Sequence, residues 1–330
     1  MKNKKDLVPS YGARKMIKNQ IMSDIYINRE EEQYVNSFLK DNDNTMIQVI
    51  GESGCGKTLM GFKISNNIES IFVTQSRIDK EIPYSLLKKI ITKFIKVMTD
   101  DEQSTVKSKL ESYIRFIFNN KEEDFLLRNI NFISLLLKLD RKKEFEAILH
   151  SMNYLDLENE ILNQFNLFLN AAIAINKVAI FVDNSDFIDV KPLSVLTRLE
   201  YFKSKFVFIS KSKIIDSEET LVLSLGNFTY DQTKTYIEKY FDSSVSDSLI
   251  KHLYDLSGGN GFHLSELCKV IDKYDKKYDN GCLQLSEKVI QDLPKTFSVI
   301  YSNIYNSLED QQKKYLQVSS VFKNEFYSEI

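Results

Sequence analysis

Apolar and polar positions along the chain follow two rhythms. Short unbroken apolar runs have the length and the Val, Ile and Phe content of strands buried on both faces. They are "TMIQVI", "SIFVTQS" (70–76), the five apolar residues that lead to Asp183 within "KVAIFVDNSDF" (177–187), "KFVFIS" (205–210) and "TLVLSL" (220–225). Between them apolar residues recur every three or four positions. "REEEQYVNSFLK" (29–40) sets Tyr34, Val35, Phe38 and Leu39 at helical spacing behind an acidic first turn that suits the helix dipole. "PYSLLKKIITKFIKVM" (83–98) opens on proline and keeps Leu86, Leu87, Ile90, Ile91 and Phe94 on one face. Residues 58–67 and "PLSVLTRLEYF" read as further helices and "DNDN" (41–44) as a turn. Residues 100–175 read as almost wholly helical, with stripes such as "FLLRNINFISLLLKL" that serve core packing. Strands alternating with helices predict an α/β fold with a parallel, doubly wound sheet. From Asn227 onward the strands are expected to stop. "TYDQTKTYIEKYF", "SDSLIKHLYDLSGGN" and "FHLSELCKVIDKY" are three helix patterns of a separate helical domain.

Composition narrows the classes. With 330 residues, 43% hydrophobic and 27% charged, the chain can bury one large and one smaller core. A net charge of −2 gives no bulk attraction to nucleic acid or anionic membrane, so neither is an expected partner. Cys55, Cys268 and Cys282 form neither a disulfide framework nor a metal-ligand spacing and suit a reducing compartment. The start, "MKNKKDLVPSYGARK", lacks the apolar core of a signal peptide, and "FLNAAIAINKVAIFV" (168–182) is broken by Asn170, Asn176 and Lys177. A cytoplasmic protein is expected. His150, His252 and His263 are too far apart for a sequence-local metal site.

The chemistry concentrates at Gly51, Glu52, Ser53, Gly54, Cys55, Gly56, Lys57 and Thr58, which fit the pattern Gly-x-x-x-x-Gly-Lys-Ser/Thr in full. Glycines let consecutive backbone N–H groups turn inward and make an anion nest at a helix N-terminus. Lys57 has the reach for β- and γ-phosphates, and the Thr58 hydroxyl is a Mg2+ ligand type. Cys55 is read as a small neutral filler. A strand before the loop and a helix after it supply the right context, so bound ATP with Mg2+ is the expected cofactor pair. "VAIFVD" places Asp183 at a strand end, where an acid holds the metal. Asn184 follows, where a second acid would polarise the attacking water. An amide orients water but takes no proton. Asp186 and Asp189 stand nearby as substitutes or as a solvated acidic loop.

The order of "YINREEE" (26–32), "GESGCGKT", "FVDNSDFID" (181–189), "FVFISKS" (206–212), "LSGGNGFHLSEL" (256–267) and "DLPKTFSVIYSNIYNSLEDQQKKYLQVSSVFKNEF" (292–326) resembles the AAA-type ATPase module of the STAND class. It is most similar to the variety attached to class III nucleotide cyclases, bacterial transcription regulators and some kinases. The resemblance implies that Arg29, with Glu30 and Glu32, packs near the nucleotide base, Asn28 replacing the family's glycine. It implies a lid signature at Gly258, Gly259, Asn260, Phe262, Glu266 and Leu267, with Gly261 in the proline position. It sets Ser210 and Lys211 where a polar sensor stands, Lys211 within reach of the γ-phosphate. The expected divisions are an irregular arm at 1–28, a P-loop NTPase core at 29–225 with a helical insertion at about 100–175, a helical lid at 226–283, and the beginning of a winged-helix-like domain at 284–330, apparently truncated. The implied function is a nucleotide-dependent conformational switch, working on a protein partner or by self-association, with ATP hydrolysis left open by Asn184. The alternatives are a hydrolysis-deficient interaction scaffold and a fragment of a larger nucleotide cyclase or signalling protein. ATP and GTP are not distinguished.

Overall fold

The computed structural model describes residues 25–40, 46–140, 143–189, 205–216, 220–274, 277–279 and 281–319. The expected turn at 41–44, the helix "PLSVLTRLEYF" and most of the N-terminal arm lie outside the described residues. The chain divides into two compact units. The first takes in Glu32–Ile50 and Met60–Leu223, and the second takes in Asp24–Glu31, Gly51–Leu59 and Ser224–Ile330.

The first unit is built on five strands, β1 (Met46–Ile50), β2 (Ser70–Thr74), β3 (Ala179–Asp183), β4 (Phe206–Ser210) and β5 (Leu221–Ser224), in the order β2-β3-β4-β1-β5. The sheet is parallel, with Thr74 opposite Asp183 and Ile50 opposite Ser210. The interior strands β3 and β4 are buried at every position and β1 at all but its last, as a parallel sheet covered by helices requires, while the edge strand β5 is mostly exposed. Gln48, fully buried in β1, is tolerated because its amide donates to Ile215 O (2.7 Å) and accepts from the Ile214 and Ile215 N–H groups. In α1 (Glu31–Lys40) Val35 and Phe38 turn inward, but Tyr34 faces solvent, so the apolar stripe is narrower than its sequence spacing predicts. The helix α2 (Lys57–Asn66) follows the glycine loop. α3 (Ser85–Phe94) buries all five of its expected apolar positions. The helical insertion is α4 (Gln103–Ile117), α5 (Glu123–Leu137), α6 (Lys143–Ser151) and α7 (Tyr154–Asn176). Its stripes join Ile180, Val182, Phe206 and Phe208 of the sheet in one continuous core around Phe165 and Phe168.

In the second unit α8 (Tyr230–Phe241), α9 (Asp247–Ser257) and α10 (Gly261–Ile271) pack around Ile237, Leu249, Leu253, Leu264 and Leu267. α8 begins with a capping box in which Thr229 and Gln232 satisfy one another's backbone N–H groups. The expectation that strands end at Asn227 is corrected. β6 (Ser244–Val245), β7 (Lys277–Asp279) and β8 (Cys282–Gln284) form a second, three-stranded sheet in the order β6-β8-β7. β7 and β8 make a hairpin with Asp279 opposite Cys282 and Gly281 at φ +78°, and β8 buries Leu283 in the unit's core. Strands of two and three residues are too brief to show an apolar rhythm. The helices α11 (Glu287–Asp292), α12 (Phe297–Ser307) and α13 (Asp310–Ser319) follow. Among the described residues, no helix is long and apolar enough to cross a membrane, and no cluster of three or more His, Cys, Asp and Glu side chains is arranged to hold a metal.

Candidate functional site

The glycine loop belongs to the second unit, and its backbone carbonyls are engaged one after another. The Lys57 ammonium folds back over the loop and donates to Gly51 O (2.7 Å) and Glu52 O (2.9 Å), with the Cys55 sulfur 4.0 Å away. The Asn260 amide donates to Ser53 O (2.8 Å), the Phe262 N–H to Gly54 O (3.0 Å), and the Arg29 guanidinium to Cys55 O (2.8 Å). In a trans peptide the carbonyl of one residue and the N–H of the next point in opposite directions. Tethering the Ser53 and Cys55 carbonyls to protein donors therefore turns the Gly54 and Gly56 N–H groups the other way. Both glycines take positive φ, +86° and +100°, a conformation that side chains resist. A Cβ on Gly56 would meet no atom within 4 Å, so the loop opens on that side. Cys55 is fully buried. Thr58 is the second residue of α2 and half-buried.

Around the loop, residues from three distant stretches of sequence converge. Arg29 is 7% exposed, donates also to Gly226 O (3.0 Å), and lies over the Phe228 ring 4.5 Å from its centre, a cation–π contact. The Phe228 N–H donates to Gly259 O (2.7 Å), and a Cβ on Gly259 (φ +71°) would strike the Phe228 carbonyl. Gly258 ends α9 in the left-handed conformation, and Asn260 caps α10 by accepting from the His263 N–H (3.1 Å). Gly261 opens α10 where a Cβ would lie 3.0 Å from the Phe228 ring and 3.4 Å from Gly54 O, which explains glycine in the position where the resemblance expects proline. Burial of the His263 imidazole holds its pKa below the ordinary value.

In the first unit, Asp183 closes β3 and is 2% exposed. Its carbonyl accepts from the Gln75 N–H (2.9 Å). Asn184 follows at φ +53°, in a region where asparagine is one of the few tolerated side chains, and its amide donates to Gln75 O (3.2 Å). The Asp186 carboxylate accepts from the Lys211 N–H (2.7 Å) and from the Ser212 N–H and hydroxyl (3.3 and 3.4 Å), holding the turn after β4. The Lys211 side chain is exposed. Asp189 accepts from the Tyr84 N–H (2.6 Å) and braces the start of α3. The resemblance names Asn260 and Phe262 in the lid signature without tying them to the loop, and Gly226 and Phe228 carry no signal. Their partners lie far off in sequence, 207 positions for Asn260 and Ser53 and 197 for Arg29 and Gly226, so no local pattern could have joined them.

No model of a known protein family matches the sequence, and no curated protein matches it. Among solved structures, a Signal Transduction ATPase with Numerous Domains (STAND) protein with a tetratricopeptide repeat sensor, from Pyrococcus horikoshii, matches over 93% of this chain and 36% of its own, with a TM-score of 0.51 and 14% identity. The chain thus spans little more than a third of that protein's length. The Thermotoga maritima RuvB Holliday junction branch migration motor aligns over 89% of this chain and 76% of its own, at 11% identity and a TM-score of 0.39. With its five-stranded parallel sheet, its glycine loop after β1 and its C-terminal helical region, the chain has the fold of a STAND-type P-loop ATPase domain.

Proposed function

We propose that this chain is an ATP-binding regulatory NTPase module of STAND or AAA type that acts as a nucleotide-dependent conformational switch. The observation that supports it best is the loop at 51–58, whose carbonyls are drawn onto protein donors while Lys57 rests on two of them. The donor set fits a polyphosphate. Gly54 and Gly56 present backbone N–H groups at the start of α2, and the Lys57 ammonium can exchange two carbonyl partners for anionic phosphate oxygens, which make stronger hydrogen bonds. The Thr58 hydroxyl and the Asp183 carboxylate are each hard oxygen donors of the type Mg2+ selects, and the ion would neutralise charge on the β- and γ-phosphate oxygens. Description of the Pyrococcus protein as a signal transduction ATPase agrees with a switch that answers to a protein partner or to self-association.

The residues around Asp183 favour slow turnover. Asn184 can orient a water molecule but cannot take its proton, and the Asp186 carboxylate is occupied by the backbone of the following turn. These two placements also support the second reading, a hydrolysis-deficient scaffold that holds nucleotide without spending it. Binding of a fluorescent ATP analogue tests the module itself. Lys57→Ala is expected to weaken binding at least roughly tenfold, the worth of one charged hydrogen-bonding group. Equal affinity in the variant and the native chain would refute the assignment. Phosphate release then separates the two readings: release that Asp183→Ala abolishes marks a slow ATPase, and release no higher than in Lys57→Ala marks a scaffold.

A further inference from the structure

We propose that Arg29 and Asn260 are positioning residues that shape the phosphate-binding loop from behind, acting on the phosphates through the loop's carbonyls and not by touching the nucleotide. The inference rests on the reading of the loop given above and assigns Arg29 a different task from the base contact that the family resemblance implies. Arg29 is 7% exposed, and its guanidinium donates to Cys55 O and Gly226 O and lies over the Phe228 ring. Those contacts aim it at the loop's main chain. The Asn260 amide is divided in the same spirit. Its oxygen caps α10 through the His263 N–H, and its nitrogen donates to Ser53 O.

The geometry gives each contact a defined effect. Arg29 holds the carbonyl of the Cys55–Gly56 peptide, and so sets the direction of the Gly56 N–H. Asn260 holds the carbonyl of the Ser53–Gly54 peptide, and so sets the direction of the Gly54 N–H. Between them, the Phe262 N–H holds Gly54 O by main chain alone. A Cβ on Gly54 would collide with the Asn260 amide, so glycine at that position serves the close approach of α10 as well as the positive φ. An anion nest is effective only if its donors already face the anion, since reorienting them on binding subtracts from affinity.

The decisive variant is Asn260→Asp. Aspartate caps a helix as well as asparagine does, so α10 keeps its N-cap, but a carboxylate oxygen then faces Ser53 O in place of an N–H donor. Arg29→Lys is the companion, keeping the charge and losing the forked pair of donors. Affinities of the full chain for ADP, inorganic pyrophosphate and adenosine are measured by calorimetry and ligand-observed NMR, with Lys57→Ala alongside. In both variants ADP and pyrophosphate are expected to bind roughly tenfold more weakly, the scale of one lost and one reversed polar contact, with adenosine unchanged. Should Asn260→Asp melt below the native chain, Asn260→Ser, which retains a cap but cannot reach Ser53 O, is expected to show the same split. Native-like ADP affinity in these variants, with affinity lost in Lys57→Ala, overturns the positioning role and leaves the nucleotide site standing. An equal loss for adenosine and ADP in Arg29→Lys overturns it in favour of a base contact. Native-like ADP affinity in Lys57→Ala overturns the reading of the loop and the inference with it.

Discussion

Asn184 and Gln75 form a small exchange at the ends of β3 and β2. The Gln75 backbone donates to Asp183 O and accepts from the Asn184 amide, while Asn184 holds a left-handed backbone that aspartate, asparagine and glycine tolerate best. The residue after Asp183 therefore has a conformational reason to be asparagine, separate from any effect on catalysis. Gln75 itself is 1% exposed, and neither polar atom of its side chain has a hydrogen-bond partner among the described residues. Burying an amide in that state costs about 1–3 kcal/mol. Gln75→Met, similar in length and free of the amide, is expected to raise the unfolding free energy by about 1 kcal/mol, read as a higher denaturant midpoint at unchanged slope. A lower midpoint would mean that the amide is satisfied in solution.

At the scale of elements, the junction between β2 and α3 is organised by one carboxylate. Asp79 accepts from the Ser76 N–H and hydroxyl, from Ser85 at the start of α3, and from Lys89 one turn on, and Lys89 donates as well to Thr74 O at the end of β2. Burial alone would raise the Asp79 pKa. Hydrogen bonds from Lys89, Ser76 and Ser85 and the Lys89 charge outweigh it, leaving the group below the ordinary carboxylate value. Folding lowers this pKa, so its stabilisation is complete above the unfolded-state value near pH 4 and is lost as the pH falls through the folded-state value. Asp79→Asn is expected to cost about 2 kcal/mol at neutral pH, with the gap to the native chain narrowing below about pH 4 in denaturant titrations. A gap independent of pH would remove the ionised carboxylate from the explanation. Elements of this kind were largely readable from sequence. The five parallel strands fall within a residue or two of their apolar runs, and Asp183 stands at the end of β3 as expected; β3 and β4, buried at every position, show the clearest signal because a strand buried on both faces needs an uninterrupted apolar run. The three short strands of the second sheet had one overlooked signal, the Asn-Gly dipeptide at 280–281 between Asp279 and Cys282, the two-residue connection that hairpins favour. For the tethering of the loop carbonyls, the family resemblance marks Arg29 as near the nucleotide and Asn260 as part of a lid signature, but nothing local ties either of them, or Phe228, to those carbonyls before the fold brings them together.

For the molecule as a whole, a ligand that binds only the folded chain must stabilise it by mass action. ADP at about a hundredfold excess over its dissociation constant should add about 2.7 kcal/mol to the unfolding free energy, and Lys57→Ala should erase most of that increment. The chain holds 17 tyrosines and no tryptophan, so calorimetry or tyrosine emission follows the transition without interference from a dominant indole signal. A native chain whose melting temperature ignores ADP would speak against nucleotide binding at the scale of the entire protein. The second unit is also assembled from pieces far apart in sequence: Asp24–Glu31, Gly51–Leu59 and everything described after Leu223. That composition has a consequence for biosynthesis. Ser53 leaves the ribosome 207 residues before Asn260, a delay of roughly 10–40 s at ordinary elongation rates of about 5–20 residues per second. Throughout that interval a nascent chain carries the complete glycine-and-lysine motif without the α10 contacts that orient its peptides. The stretch with the plainest signature in the sequence is translated well before the α10 residues that orient it, and takes its final form only after them.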